Sequence, residues 1–201
     1  MTQYIKPEEF HDLLDTLSND YDRAYYMMLY EGISPFDALE MKPEDVDFER
    51  QTVKYGGKEV SASPELLKEI KAACEQKMAK RHNWLANGLI ESKVHDSDKI
   101  IKFSADNPGE PPSTYEIAHS KMLAKAASYR SRKTWKPHWN ESNIRKSGLV
   151  NQLEPYIKEA GGNVDSAAET FKEDFSRIIK RWDYYPTWET KKICKQFLGT
   201  D

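Results

Sequence analysis

The sequence has little of what marks a secreted, membrane-spanning or metal-dependent protein. Only two cysteines occur, Cys74 and Cys194, far apart and without a CxxC partner. That excludes a disulfide framework and a cysteine-based zinc site, and the expectation is two reduced, semi-buried thiols of a cytosolic protein. No apolar run approaches the roughly 18 residues that a spanning helix needs. The opening residues, MTQYIKPEEF, lack a basic start and an apolar stretch, so no secretory signal is legible. The five histidines, His11, His82, His95, His119 and His138, show no metal-ligand spacing. No internal repeat is evident.

What is present is charge: 31% of the 201 residues are charged, against 38% hydrophobic. That balance fits one polar, mainly helical domain large enough to bury a core without staples. The net charge of −3 argues mildly against a nucleic-acid partner, but the distribution is uneven. Residues 1–50 carry only Lys6, Arg23, Lys42 and Arg50 against many carboxylates. Residues 121–146 carry Lys121, Lys125, Arg130, Arg132, Lys133, Lys136, Arg145 and Lys146 against Glu141 alone. Such a stretch is either a solvated basic loop or a phosphate-contacting surface.

Pro7 with Glu8 and Glu9 opens a helix that recurs through Phe10, Leu13, Leu14 and Leu17. A second helix follows Asn19-Asp20 and stops at Gly32. Ser34-Pro35-Phe36-Asp37 is a capping signature, with Ser34 as N-cap and Phe36 and Leu39 expected inward. Residues 46–60 read as strands turning at Gly56-Gly57. Ser63-Pro64-Glu65 starts a long helix expected to reach Trp84 or Leu89. Residues 99–103 read as a short strand or extended piece, and residues 104–113 as a loop. Ser113-Thr114-Tyr115-Glu116 is a second capping box, opening a further helix. A helix from about Ser142 to Ala160 carries Pro155, where a kink or break is expected. One helix over 165–182 and a final one over 187–198 complete the chain, separated by Tyr184-Tyr185-Pro186. The expected fold class is mostly α with a small antiparallel β-hairpin or sheet.

The run Tyr30-Glu31-Gly32-Ile33-Ser34-Pro35-Phe36-Asp37-Ala38-Leu39, continuing through Pro43-Glu44-Asp45-Val46-Asp47-Phe48, resembles the first active-site box of the tyrosine recombinases, the phage integrase family. Tyr55-Gly56-Gly57-Lys58-Glu59-Val60 with Ser63-Pro64-Glu65-Leu66-Leu67 is similar to that family's hairpin and following helix. Asn143-Ile144-Arg145-Lys146-Ser147-Gly148 with Ile157-Lys158-Glu159-Ala160-Gly161-Gly162 is similar to its second box. The boxes occur in the family's order over almost the whole chain, which begins where the catalytic domain would begin. The expected organisation is a catalytic-domain-like body over 1–183 and a hinge and terminal helix over 184–201, the latter open to exchange between protomers.

The family cleaves DNA by attack of a Tyr on a phosphate, with Arg, Lys and His or Trp groups stabilising the developing charge. Carried over by position, the resemblance puts Ser34 where the first Arg stands and Ser142 where the His stands. The hairpin Lys falls on Lys58 or Lys54, and the second Arg is retained as Arg145. Trp182 is the nearest counterpart of the aromatic before the nucleophile, and 189–192 holds no Tyr; Tyr184 and Tyr185 are the nearby tyrosines. The bland readings are an N-cap for Ser34, a soluble turn for Lys58, and a first-turn surface residue or a carboxylate's partner for Arg145. Trp135, Trp139, Trp182 and Trp188 read as core and hinge packing.

The resemblance therefore implies a non-catalytic, double-stranded-DNA-binding regulator of phage or mobile-element type, a repressor or recombination accessory factor, in the bacterial cytoplasm. No cofactor, metal or membrane is expected. DNA contacts are expected from Lys54, Lys58, Lys121, Lys125, Arg130, Arg132, Lys133, Lys136, Arg145 and Lys146. The alternative is a protein–protein module, self-associating or bound to a phage regulatory protein. It draws on the acidic N-terminal third, with roughly nine net negative charges.

Overall fold

The computed structural model describes residues 3–83, 88–94, 96–102, 138–182 and 187–200. Helices α1 (Pro7–Thr16), α2 (Asp20–Tyr30) and α3 (Pro35–Glu40) come first. A helical turn at Pro43–Asp45 leads into strands β1 (Val46–Asp47), β2 (Thr52–Tyr55) and β3 (Lys58–Ser61). Helix α4 (Pro64–Glu75) and strands β4 (Met78–Asn83) and β5 (Gly88–Lys93) follow. The C-terminal part holds α5 (Glu141–Glu159), α6 (Val164–Thr170), α7 (Lys172–Arg181) and α8 (Thr187–Leu198). The fold is mostly α with small antiparallel sheets, as the sequence leads one to expect.

Helix α2 is the spine. It packs on α4 on one side and on α5 on another. Tyr25, Met28 and Leu29 are fully buried, and Phe10 of α1 stacks on Tyr30 at a ring separation of 3.9 Å. The crossing with α5 is close because Gly148 faces Tyr30: a Cβ there would lie 1.7 Å from the Tyr30 carbonyl oxygen. A second core, built on Leu149, Leu153, Phe175 and Trp182, joins α5 to the C-terminal helices.

The three-stranded sheet has order β1-β2-β3, all antiparallel, with Tyr55 opposite Lys58 and Lys54 opposite Glu59. Its turn takes positive φ at both Gly56 (54°) and Gly57 (73°), the backbone that a two-residue hairpin needs.

Several expectations need correction. Helix α4 stops at Glu75, because Gln76 turns extended and donates its side-chain amide to the Met78 carbonyl at 2.8 Å. The chain then enters a second hairpin, β4–β5, rather than a longer helix. The region near 99–103 forms no strand among its described residues: Ile100 and Ile101 are buried in bends, tied by Ile100 N–H to the Met41 carbonyl at 3.0 Å. Pro155 does not break α5; it lies on the exposed face of a helix that runs on through it. The helix expected over 165–182 is two helices, broken at Phe171 (φ −109°, ψ 39°), whose ring packs 5.3 Å from that of Tyr156. Phe36 is 71% exposed rather than inward, and Trp188 is 66% exposed rather than packed. The loop over 104–113 and the helix expected after Ser113 lie outside the described residues.

Candidate functional site: the centre around Glu31, Arg145 and Arg181

The site forms where four elements end together. Helix α2 closes in a paired C-terminal motif: Gly32 N–H bonds the Leu29 carbonyl and Ile33 N–H bonds the Met28 carbonyl, each at 3.0 Å. Gly32 has φ of 93°, and a Cβ on it would meet the Trp182 ring at 2.6 Å. Only glycine combines that backbone with that closeness. The turn delivers Ser34 to the start of α3.

Ser34 works as the N-cap that its sequence signature describes. Its Oγ accepts Asp37 N–H at 3.1 Å and donates to the Asp37 carboxylate at 2.6 Å. Ser142, at the His position, is exposed on the first turn of α5. Arg145 lies one turn further on, 8% exposed, and its Nη2 donates to the Gly32 carbonyl at 3.2 Å. Trp182 is fully buried and donates Nε1–H to the Arg145 carbonyl at 3.0 Å. The first box, the second box and the Trp182 position thus meet on one glycine turn.

The hairpin reaches the same centre. Lys58 is half-buried, and its Nζ donates to the carbonyls of Lys180 and Arg181 at 3.2 and 3.3 Å. A cation is well placed there, at the negative end of α7. The same ammonium lies 4.8 Å from the centre of the Tyr55 ring. Lys54, the other hairpin candidate, is exposed and sits 3.9 Å from Glu59. Between α3 and the hairpin is an open hollow of about 520 Å³. Asp37, Glu40, Asp45 and Glu59 line it with Lys54 and Lys58, so its outer face carries more negative than positive charge.

Two charged residues at the centre went unassigned in the sequence. Glu31, 6% exposed, is the C-cap of α2, and its carboxylate pairs with the Arg181 guanidinium and accepts the Ser63 hydroxyl. Ser63 is the N-cap of α4, so this carboxylate ties α2, α4 and α7 together. A signal for Glu31 existed: an acid at a helix C-terminus opposes the helix dipole and calls for a nearby cation. Arg181, in a last turn where cations are ordinary, carried no such signal.

Of the other expected contacts, Lys146 is half-buried on α5. Lys121, Lys125, Arg130, Arg132, Lys133 and Lys136 lie outside the described residues, as do Tyr184 and Tyr185. Among the described residues no group of His, Cys, Asp and Glu could hold a metal ion, and no helix is long and apolar enough to cross a membrane. Both cysteines are free thiols, and burial raises that of Cys194 to about 12.

Chemically, the centre gathers three cations around one buried carboxylate and a glycine carbonyl. It can bind an oxyanion or hold the helix ends together. No curated protein matches the chain. Residues 4–201 match the family described as "MrpR, C-terminal catalytic domain". With the recombinase boxes meeting at Gly32 and the match spanning nearly every residue, the chain belongs to this recombinase-type catalytic-domain family.

Proposed function

We propose that the chain binds double-stranded DNA as a regulator and does not cut it. The observation that carries the reading is the use made of the recombinase positions. Ser34 spends its hydroxyl on capping α3, Lys58 bonds the end of α7, and Arg145 bonds Gly32. Strand cleavage needs cations preorganised on one phosphate and an activated nucleophile. Duplex binding needs only lysines and arginines spread along a surface. The basic run from Lys121 to Lys146 supplies those in the sequence. A repressor or recombination accessory factor fits such a surface. The test is a mobility-shift titration on phage operator or attachment-site duplex at several salt concentrations. Binding weakens steeply with salt, and Arg132→Glu with Lys133→Glu lowers it. No salt-sensitive shift at micromolar protein removes the DNA reading.

A second reading is a protein-interaction module, favoured by the exposed Phe36 and Trp188 and by the acidic N-terminal third. Helix α8 docks in cis on α5, α6 and α7, with Ile193 and Cys194 buried and Lys191 and Lys195 on Asp165 at 2.9 Å. The same contacts made by a second copy would exchange α8 between protomers. Sedimentation of the wild type against Ile193→Asp distinguishes the readings: an exchanged dimer dissociates, and a chain monomeric throughout excludes exchange.

A further inference from the structure

Among the described residues, Glu31 is the buried carboxylate that pairs with a cation of this centre. Its carboxylate accepts the Ser63 hydroxyl, with Ser63 N–H at 3.4 Å, and pairs with Arg181, whose side chain is 15% exposed. One residue along, the Gly32 carbonyl takes the Arg145 guanidinium. On the other side, the Arg181 carbonyl takes Lys58. The Arg181 Nε is buried and makes no hydrogen bond among the described residues, so this guanidinium has donor capacity beyond what Glu31 uses. A desolvated ion pair at a helix C-terminus is a poor device for stability alone. A guanidinium fork is the group best matched to a phosphate-type oxyanion, in the geometry in which it takes a carboxylate.

We propose that Glu31 is a built-in anion that occupies the cationic centre and keeps external phosphate-type oxyanions off Arg181. The ligand held off is an oxyanion, whether a duplex backbone phosphate or a free ion. The duplex arm of the test rests on the DNA-binding reading; the free-ion arm does not. Glu31→Gln keeps the shape of the side chain and one acceptor oxygen and removes the competing charge.

The free-ion arm follows thermal unfolding against sodium sulfate, with sodium chloride at matched ionic strength as reference. Glu31→Gln gains a saturable, sulfate-specific stabilisation with an affinity about tenfold above that of wild type. Equal sulfate responses in the two proteins overturn the proposal. In the duplex arm Glu31→Gln binds more tightly, and its salt slope steepens by about 0.9, the value for one more neutralised phosphate.

The double variant Glu31→Gln with Arg181→Gln replaces the pair by two neutral polar groups, and it decides the matter if the single variant does not fold. It shows no sulfate gain and retains wild-type duplex affinity and slope. A double variant that binds duplex more weakly, with a slope shallower by about 0.9, shows that Arg181 already serves a phosphate in the wild type, and overturns the proposal. A wild type that shifts no duplex ends the DNA reading while the sulfate arm still decides the role of Glu31.

Discussion

Replacing Gly148 by Ala tests the packing on which the site depends. A Cβ at this position would lie 1.7 Å from the Tyr30 carbonyl oxygen and 2.7 Å from its carbonyl carbon. Ordinary contact begins at 3.4 Å, so α5 and α2 would have to separate by about as much again as that first distance. Both partners are backbone, so no side-chain rotation relieves the clash. Overpacking of a close-packed core typically costs about 1–3 kcal/mol, and here the upper end applies because two helices move together. Alanine recovers about 1 kcal/mol of helix propensity over glycine. The net expectation is a loss of about 2 kcal/mol. Urea denaturation reads this as a lower midpoint at an unchanged slope. Arg145 lies one turn before Gly148, so its bond to the Gly32 carbonyl is strained by the same movement. A variant as stable as wild type, or more stable by the propensity gain, refutes the close crossing of α2 and α5.

Other outcomes follow from single contacts. Ser34→Ala removes the N-cap of α3 and costs about 1 kcal/mol in urea denaturation; no loss would mean that the cap contributes nothing. The Cys194 thiol, its pKa raised to about 12 by burial on the inner face of α8, resists a thiol reagent at pH 8 until urea is added; modification at a free-thiol rate would show α8 undocked. Lys191 and Lys195 hold the Asp165 carboxyl below its usual range through their hydrogen bonds. Its stabilising contribution is therefore full above the unfolded value of about 3.9 and disappears as pH falls through the lowered folded value. Melting temperatures of wild type and Asp165→Asn should converge in acid, and a gap that widens in acid contradicts the assignment.

Much of the fold was legible because local chemistry agreed with it. Pro7 with its acids, the Ser34 and Ser63 caps and the Gly56-Gly57 turn each act as their residue types dictate. The β4–β5 hairpin was missed because the helical spacing before it runs on smoothly; Asn87-Gly88, a turn signal, was the available clue. The break at Phe171 left no mark, since neither Gly nor Pro sits there, and its contact with Tyr156 is a tertiary one that local sequence does not show. At the site, the meeting of Arg145, Lys58 and Trp182 follows from the order of the boxes. What those groups bond to does not. Glu31 and Arg181 lie 150 residues apart in the chain, and only the packing of α7 against the end of α2 makes them a pair.

Binding without cleavage can be read on one nicked suicide duplex carrying operator or attachment-site sequence. The same incubation is read on a native and on a denaturing gel. The expected result is a salt-sensitive shift on the native gel and no protein-linked strand on the denaturing gel. A covalent band that disappears when Tyr184 and Tyr185 are changed to Phe would contradict it and make the chain an active recombinase.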